Sequence, residues 1–110
     1  MTTLSTHVLD IAAGIPAAGV RLQLFASERL LFSGETNGDG RCPDLPSELG
    51  PGRYRLAFSV ADYFRAQNVA LADPPFLDIV SIDFGIADAG SHYHVPLLVS
   101  PFAYSTYRGS

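Results

Sequence analysis

The chain alternates apolar and polar residues over several short runs, which is the pattern of half-buried strands. Three runs show it most clearly, and their inward positions are Val20, Leu22 and Leu24, then Tyr54, Leu56, Phe58 and Val60, then Val80, Ile82 and Phe84. Strict period two over such lengths predicts antiparallel strands with one face in a core. Clusters of Gly, Pro, Asn and Asp separate the runs, so the pattern favours an all-β sandwich or barrel.

One segment departs from this alternation. Residues 60–68 contain helix formers, with Asp62 as a candidate N-cap and Asn68 near the end. We expect one short helix there. Because no repeat, linker or low-complexity tract interrupts the 110 residues, the sequence predicts a single domain over residues 1–110.

The run 92–99 has two different faces. Its core face is formed by Tyr93, Val95, Leu97 and Val99, and its other face by His92, His94, Pro96 and Leu98. A proline cannot donate to a strand ladder, so this strand is expected at an irregular or edge position. A mixed face of histidine, proline and leucine suits a cleft or a subunit contact.

Composition excludes several classes of function. The net charge is −4 and there is no basic cluster, which argues against nucleic acid as a partner. No apolar stretch approaches the roughly 20 residues that span a bilayer, and no leader or targeting signal is visible. A single cysteine, Cys42, cannot form an intrachain disulfide. We therefore expect a cytoplasmic protein that binds neither nucleic acid nor membrane.

The candidate chemistry lies in histidine, arginine and the last residues. His92 and His94 have the spacing of metal ligands on a strand, with His7 as a third candidate, but no acidic or cysteine ligand stands at a telling distance. For His92 alone a solvated position at the rim is the better interpretation. Arg41 follows a Gly-rich turn, where it is either an exposed hairpin arginine or, aimed into a cleft, a bidentate partner for a planar anion.

Two other motifs are set aside. Residues 35–46 resemble the start of a calcium loop, but they begin with Glu35 and have Pro46 where the bidentate Glu belongs. Cys42 has no local nucleophile signature and fits a small buried residue better. There is also no Gly-x-Ser-x-Gly elbow, so a serine-hydrolase triad is not expected.

Three separated motifs, in order, resemble the transthyretin-related 5-hydroxyisourate hydrolases. They are Leu-Ser-Thr-His-Val-Leu-Asp at 4–10 with its continuation to residue 20, Thr-Asn-Gly-Asp-Gly-Arg at 36–41, and the segment 92–110 ending in Tyr-Arg-Gly-Ser. The resemblance implies a transthyretin-like (prealbumin-like) sandwich of two four-stranded sheets with one short helix. It also implies a homotetramer, a dimer of dimers, with active sites in a central channel.

The same resemblance implies hydrolysis of 5-hydroxyisourate, the product of urate oxidation, without a cofactor or a metal. The family's catalytic groups fall on His7, Arg41, His94 and Ser110, and substrate binding falls on His7, Arg41, Tyr107 and Arg108. Which histidine is the general base is left open, and Arg108 either contacts substrate or pairs with a carboxylate to fix the tail. The departures at Ile11, Ile15 and 102–103 affect loops rather than these groups. The alternative is a transthyretin-type carrier of a small ligand without catalysis.

Overall fold

The computed structural model describes residues 2–110, which form mostly strands and one helix. The elements are β1 (Thr3–Asp10), β2 (Ile15–Pro16), β3 (Arg21–Ala26), β4 (Arg29–Glu35), β5 (Gly52–Ser59), α1 (Val60–Ala66), β6 (Ile79–Ile86), β7 (His92–Val99) and β8 (Tyr104–Thr106). Within the described residues, no helix has the length and apolar character needed to cross a membrane.

The strands form two four-stranded sheets. Sheet A has the order β2-β1-β7-β8, and sheet B has the order β4-β3-β5-β6. Every pair in sheet B is antiparallel, as the alternation predicts. In sheet A, β1 and β7 pair in parallel over their full length. The predicted sandwich of two four-stranded sheets with one short helix is therefore confirmed.

The core lies between the sheets and consists of the inward residues of the alternating runs. The fully buried large side chains include Val8, Leu22, Leu24, Leu56, Phe58, Val80, Leu97 and Val99. Each buried aliphatic or phenyl side chain contributes about 1.5–3 kcal/mol through removal from water. Tyr54 and Phe84 are only partly buried, and their rings stack with centroids 5.9 Å apart.

The helix begins where the predicted segment begins, but its cap differs from the prediction. Val60 is the first residue of α1, and Asp62 lies inside the first turn instead of capping it. The N-cap residue is Ser59, and its side chain makes no capping hydrogen bond. Because β5 runs directly into α1, the first helical N–H groups, those of Val60 and Ala61, donate to the carbonyl of Asp78 instead. The assignment of Asp62 as cap is therefore wrong.

The end of the helix agrees with the prediction. Asn68 has a φ of +63°, in the left-handed region that asparagine tolerates. Its N–H donates to Arg65 O at 3.0 Å, and the N–H of Val69 donates to Phe64 O at 3.0 Å. These two bonds form a Schellman motif, and the partly buried Val69 packs against the core.

Pro96 does not lie on an edge strand, because β7 is flanked by β1 and β8. The expectation of an edge position is therefore wrong, whereas the irregularity is real. Pairing with β8 covers only Leu97 to Val99, and it resumes as an isolated bridge between His94 and Gly109. Pro96 occupies the gap, where its carbonyl accepts a hydrogen bond from Thr106 Oγ1 at 2.6 Å.

Candidate active site

The outer face of sheet A brings the predicted histidines together. The parallel register places Thr3 beside His92, Ser5 beside His94, and His7 beside Pro96. The residues between them on β1 and β7 point into the core. Successive side chains of a strand alternate between its two faces, so the outward face carries Thr3, Ser5, His7, His92 and His94. The result is a polar cluster on the outer face of sheet A.

A tight turn brings Arg41 to the same face. Asn37 Oδ1 accepts hydrogen bonds from the N–H groups of Asp39 and Arg41, at 2.9 and 3.1 Å. Gly40 has a φ of +75°, and a Cβ there would overlap the carbonyl oxygen of Val8. Only glycine therefore allows this approach, which places Arg41 in a backbone bridge with the strand residue His7.

The guanidinium of Arg41 is available for a ligand. The residue is exposed, and its side chain makes no ion pair within residues 2–110. An arginine fork that is not already paired can hold a planar anion through parallel hydrogen bonds.

The final residues fold back onto His94. The N–H of Gly109 donates to the carbonyl of His94 at 2.8 Å, which forms an isolated antiparallel bridge. A Cβ on Gly109 would overlap the imidazole of His94 at Cδ2. The glycine backbone therefore lies directly against the ring, and the exposed Ser110 follows immediately beside it.

Tyr107 and Arg108 lie apart from the histidines. The Arg108 guanidinium stands 4.2 Å over the ring of Tyr93, and its Nη2 donates to the carbonyl of His92 at 3.4 Å. Tyr93 faces the core, on the opposite side of β7 from His94. Arg108 and Tyr107 thus line a cavity at the edge of the sandwich, together with Phe84. In the described residues Arg108 pairs with an aromatic ring and no carboxylate.

Burial and charge set the protonation of His94. Partial burial lowers the pKa of His94, and the nearby Arg41, His92 and His7 lower it further, because each disfavours a second positive charge. His94 is therefore a neutral imidazole at physiological pH, able to accept a proton.

The structure shows a chain of hydrogen bonds around His92 that the sequence did not predict. Ser5 Oγ lies 3.0 Å from His92 Nε2 and 2.7 Å from His94 Nδ1, and Thr3 Oγ1 bonds His92 Nδ1. His92 is exposed at the rim, as expected, but it is not merely solvated. The available signal was the period-two spacing of Thr3, Ser5 and His7, which puts all three on one strand face.

The zinc alternative lacks a ligand set. Residues 2–110 contain no group of three or more His, Cys, Asp or Glu side chains placed to hold a metal ion. His92 and His94 both form hydrogen bonds with Ser5, whereas His7 lies opposite Pro96 in the β1–β7 register. Cys42 is buried, as predicted, and burial raises the pKa of its thiol, so it is no activated nucleophile.

A sandwich of two four-stranded sheets with histidines and an arginine on one outer sheet face defines the class of transthyretin-like β-sandwich proteins. This chain belongs to the HIUase/Transthyretin family, whose family model matches residues 4–109. A 5-hydroxyisourate hydrolase of Ralstonia nicotianae is 54% identical over 117 aligned residues, which cover 100% of both chains.

Solved structures share this fold. The structure of Klebsiella pneumoniae 5-hydroxyisourate hydrolase has a TM-score of 0.83 and 38% identity, covering 98% of this chain and 99% of that one. Sea bream transthyretin in complex with thyroxine has a TM-score of 0.85 and 28% identity, covering 96% and 93%. The fold is thus shared with a 5-hydroxyisourate hydrolase and with a thyroxine-bound transthyretin. The residues of the site, and not the fold, distinguish the two functions.

Proposed function

We propose that this protein hydrolyses 5-hydroxyisourate to 2-oxo-4-hydroxy-4-carboxy-5-ureidoimidazoline in the degradation of urate. The observation that carries the proposal is the convergence of His7, Arg41, His94 and Gly109, from distant parts of the chain, on one face of sheet A. The high identity to 5-hydroxyisourate hydrolases over the full chain supports it.

The two histidines share the proton transfers in this proposal. Hydrolysis of a cyclic amide-like bond needs a water that is deprotonated as it attacks and a proton for the leaving nitrogen. His94 takes the proton of the water, because its lowered pKa keeps the imidazole neutral. His7, one strand away and beside Arg41, delivers the proton to the leaving group.

Arg41 binds the anionic ring and stabilises the oxyanion that develops during attack. A preorganised cation at that position acts on charge that grows in the transition state, and removing one such donor typically costs about 100- to 1000-fold in rate. Ser110 lies next to the His94–Gly109 contact and holds the water by its hydroxyl or carboxylate. Arg108 fixes the tail on Tyr93, and Tyr107 lines the edge cavity with Phe84, away from Arg41 and the histidines.

The site as a whole lies on an open sheet face. Two cavities among residues 2–110 lie elsewhere, and neither is lined by His7, Arg41 or His94. A cover is needed to keep bulk solvent out of the site while the attacking water is retained. We therefore include in the proposal a homotetramer, a dimer of dimers, in which copies of the single domain 1–110 face one another. Light scattering of the purified protein tests this assembly.

A cytoplasmic location completes the proposal. The one cysteine is buried and needs no oxidising compartment. Fractionation of cells that express the native gene, followed by detection of the protein in each fraction, tests the location.

The decisive experiment follows the ultraviolet absorbance of freshly generated 5-hydroxyisourate, which also decays spontaneously, with and without the protein. Acceleration over the spontaneous decay is the expected result. It should be abolished in Arg41→Ala and retained in the matched variant Arg21→Ala, an exposed arginine on the other sheet. An unaccelerated decay with folded protein would overturn the hydrolase proposal.

The likeness to a thyroxine-bound transthyretin favours a second candidate, a carrier of small aromatic ligands. A carrier needs an apolar site and no proton acceptor, whereas the outer face of sheet A presents three imidazoles and an unpaired guanidinium. Tight binding of thyroxine by a protein that leaves 5-hydroxyisourate untouched would favour the carrier.

A further inference from the structure

Four side chains of β1 and β7 form one continuous hydrogen-bonded chain that ends at His94. It runs from Thr3 Oγ1 to His92 Nδ1, from His92 Nε2 to Ser5 Oγ at 3.0 Å, and from Ser5 Oγ to His94 Nδ1 at 2.7 Å. The parallel register makes this possible, because it sets Thr3 opposite His92 and Ser5 opposite His94.

Proton counting limits the neutral arrangements of this chain. The Ser5 hydroxyl has one proton and two lone pairs and touches two ring nitrogens, so it cannot donate to both of them. A neutral imidazole carries its proton on one nitrogen only. If His94 Nδ1–H donates to Ser5, the Ser5 proton is left for His92 Nε2 or for water. If Ser5 donates to His94 Nδ1 instead, His92 Nε2–H donates to Ser5 and the His94 proton lies on Nε2.

The free nitrogen of His94 is the one that faces solvent. Nε2 has no hydrogen-bond partner within residues 2–110. Every buried side-chain nitrogen or oxygen in these residues has a partner, so an atom without one must be accessible to solvent. Nε2 is therefore open to water. The charged and titratable groups around this ring are Arg41, His92 and His7. A neighbouring guanidinium favours a lone pair over an N–H at the open nitrogen.

We propose that Thr3, His92 and Ser5 hold His94 in the Nδ1–H tautomer, which leaves Nε2 as the proton acceptor for the attacking water. Ser5 is the central positioning residue, because among residues 2–110 its hydroxyl is the one group that bonds both imidazoles. The role of Nε2 in catalysis rests on the proposed function, whereas the tautomer is a property of the resting protein.

The tautomer is tested on the resting protein by ¹⁵N NMR of labelled imidazoles at neutral pH. Only three histidines contribute signals, and His7→Gln identifies the one outside the chain. The expected result is a protonated Nδ1 and a bare Nε2 at His94. Ser5→Ala should shift His94 toward the other tautomer. A protonated Nε2 at His94 in the unmodified protein, or an unchanged tautomer in Ser5→Ala, would overturn the proposal.

Kinetics give the second readout. Fixing the tautomer of a catalytic histidine matters strongly in serine proteases, where its loss lowers kcat by about 10⁴-fold. A neutral hydroxyl orients the ring less strongly than a carboxylate, so we expect Ser5→Ala to lower kcat roughly 10- to 100-fold with little change in KM. Ser5→Thr keeps the hydroxyl and should recover most of the rate. Equal activity of Ser5→Ala and the unmodified protein would overturn the positioning role.

A matched control separates positioning from folding. Ser81 is an exposed serine on β6 of the other sheet, and Ser81→Ala should leave both the spectrum and kcat unchanged. If the unmodified protein shows the Nδ1–H tautomer but no hydrolysis, the proposed function fails and the hydrogen-bonded chain stands. The two conclusions are therefore distinguishable.

Discussion

Gly109 is the residue whose size matters most to the site. A methyl group there would overlap the His94 ring, so Gly109→Ala has to displace either the imidazole or the tail. A misplacement of about 1 Å in an active site can cost around 100-fold in rate, and we expect a loss of kcat/KM of that order. Steady-state assays with 5-hydroxyisourate measure it.

The control for this substitution is Gly50→Ala, because a Cβ at Gly50 meets nothing within 4 Å and the position needs no left-handed backbone. Gly50→Ala should keep native activity. Full activity in Gly109→Ala would show that the tail does not position His94.

His94 also sets an expected pH dependence. Its pKa is lowered, so the base form persists below the usual histidine value of about 6.5, and the acid limb of kcat/KM should fall at a lower pH than that. Arg41 contributes to the lowering because a cation disfavours the imidazolium. An NMR titration of Arg41→Gln should therefore show the His94 pKa raised toward its usual value. An unchanged midpoint would mean that burial alone controls the ring.

At this scale the sequence identified His7, Arg41 and His94 through motifs, and the structure places all three on one face. It could not identify Ser5 or Thr3 as partners of His92. Their contacts depend on the parallel register of two strands that lie far apart in the chain, and periodicity within one strand carries no information on register.

A single buried hydrogen bond ties the helix to sheet A. The hydroxyl of Tyr63, on α1, donates to Asp10 Oδ2 at 2.8 Å at the end of β1. The other oxygen, Oδ1, accepts from the N–H groups of Ala12 and Ala13, at 3.0 and 2.9 Å. Asp10 thus joins the turn after β1 to the helix that packs over the core.

Tyr63→Phe should lower the free energy of unfolding by about 1–3 kcal/mol, because it leaves a buried carboxylate oxygen without its partner. Urea denaturation measures this loss. Tyr104→Phe is the matched control, since Tyr104 is 46% exposed and its hydroxyl makes no hydrogen bond within the described residues. Equal losses in the two variants would contradict the role of the Asp10 contact.

The same pair predicts the behaviour of the fold in alkali. Burial, and then the bond to Asp10, raises the pKa of Tyr63 well above its usual value of about 10. In the unfolded chain this tyrosine ionises near pH 10, so stability is fully present below that pH and falls as the pH rises above it. The Tyr63→Phe variant should be less stable than the unmodified protein at neutral pH. Between pH 9 and about 11, however, its free energy of unfolding should fall less than that of the unmodified protein.

Among the elements, the strands were predictable because each has a clean alternating face, as in β3 and β5. The N-cap was not predictable. Residue propensity favours an acidic residue such as Asp62 as the cap, but β5 runs directly into α1, and the first N–H groups of the helix donate to the carbonyl of Asp78, which is distant in sequence. For Pro96 the sequence left an irregular or an edge position open, and the structure shows the irregular one inside the sheet. A proline is tolerated inside a sheet wherever the neighbouring strand stops pairing.

For the whole molecule, deletion of residues 108–110 should separate activity from stability. The lost contacts are the cation–π contact to Tyr93, the hydrogen bond from Arg108 to the carbonyl of His92, and the backbone hydrogen bond from Gly109 to His94, together about 1–3 kcal/mol. The deletion also uncovers the His94 ring, so we expect at least a ~100-fold loss of activity. Thermal denaturation and the absorbance assay measure the two effects on the same sample. A variant that keeps its activity would leave the tail a purely structural segment.

The two sheets draw on the chain in different ways. Sheet B is built from consecutive strands between residues 21 and 86, whereas sheet A joins β1 and β2 to β7 and β8 across that whole interval. Closing so long a loop carries an entropic cost that neighbouring hairpins do not pay, so we expect the β1–β7 pairing to form late in folding. This pairing is also what brings His7 beside the strand of His94. A chain in which only sheet B has formed therefore lacks the site, and activity reports that folding has reached the β1–β7 pairing.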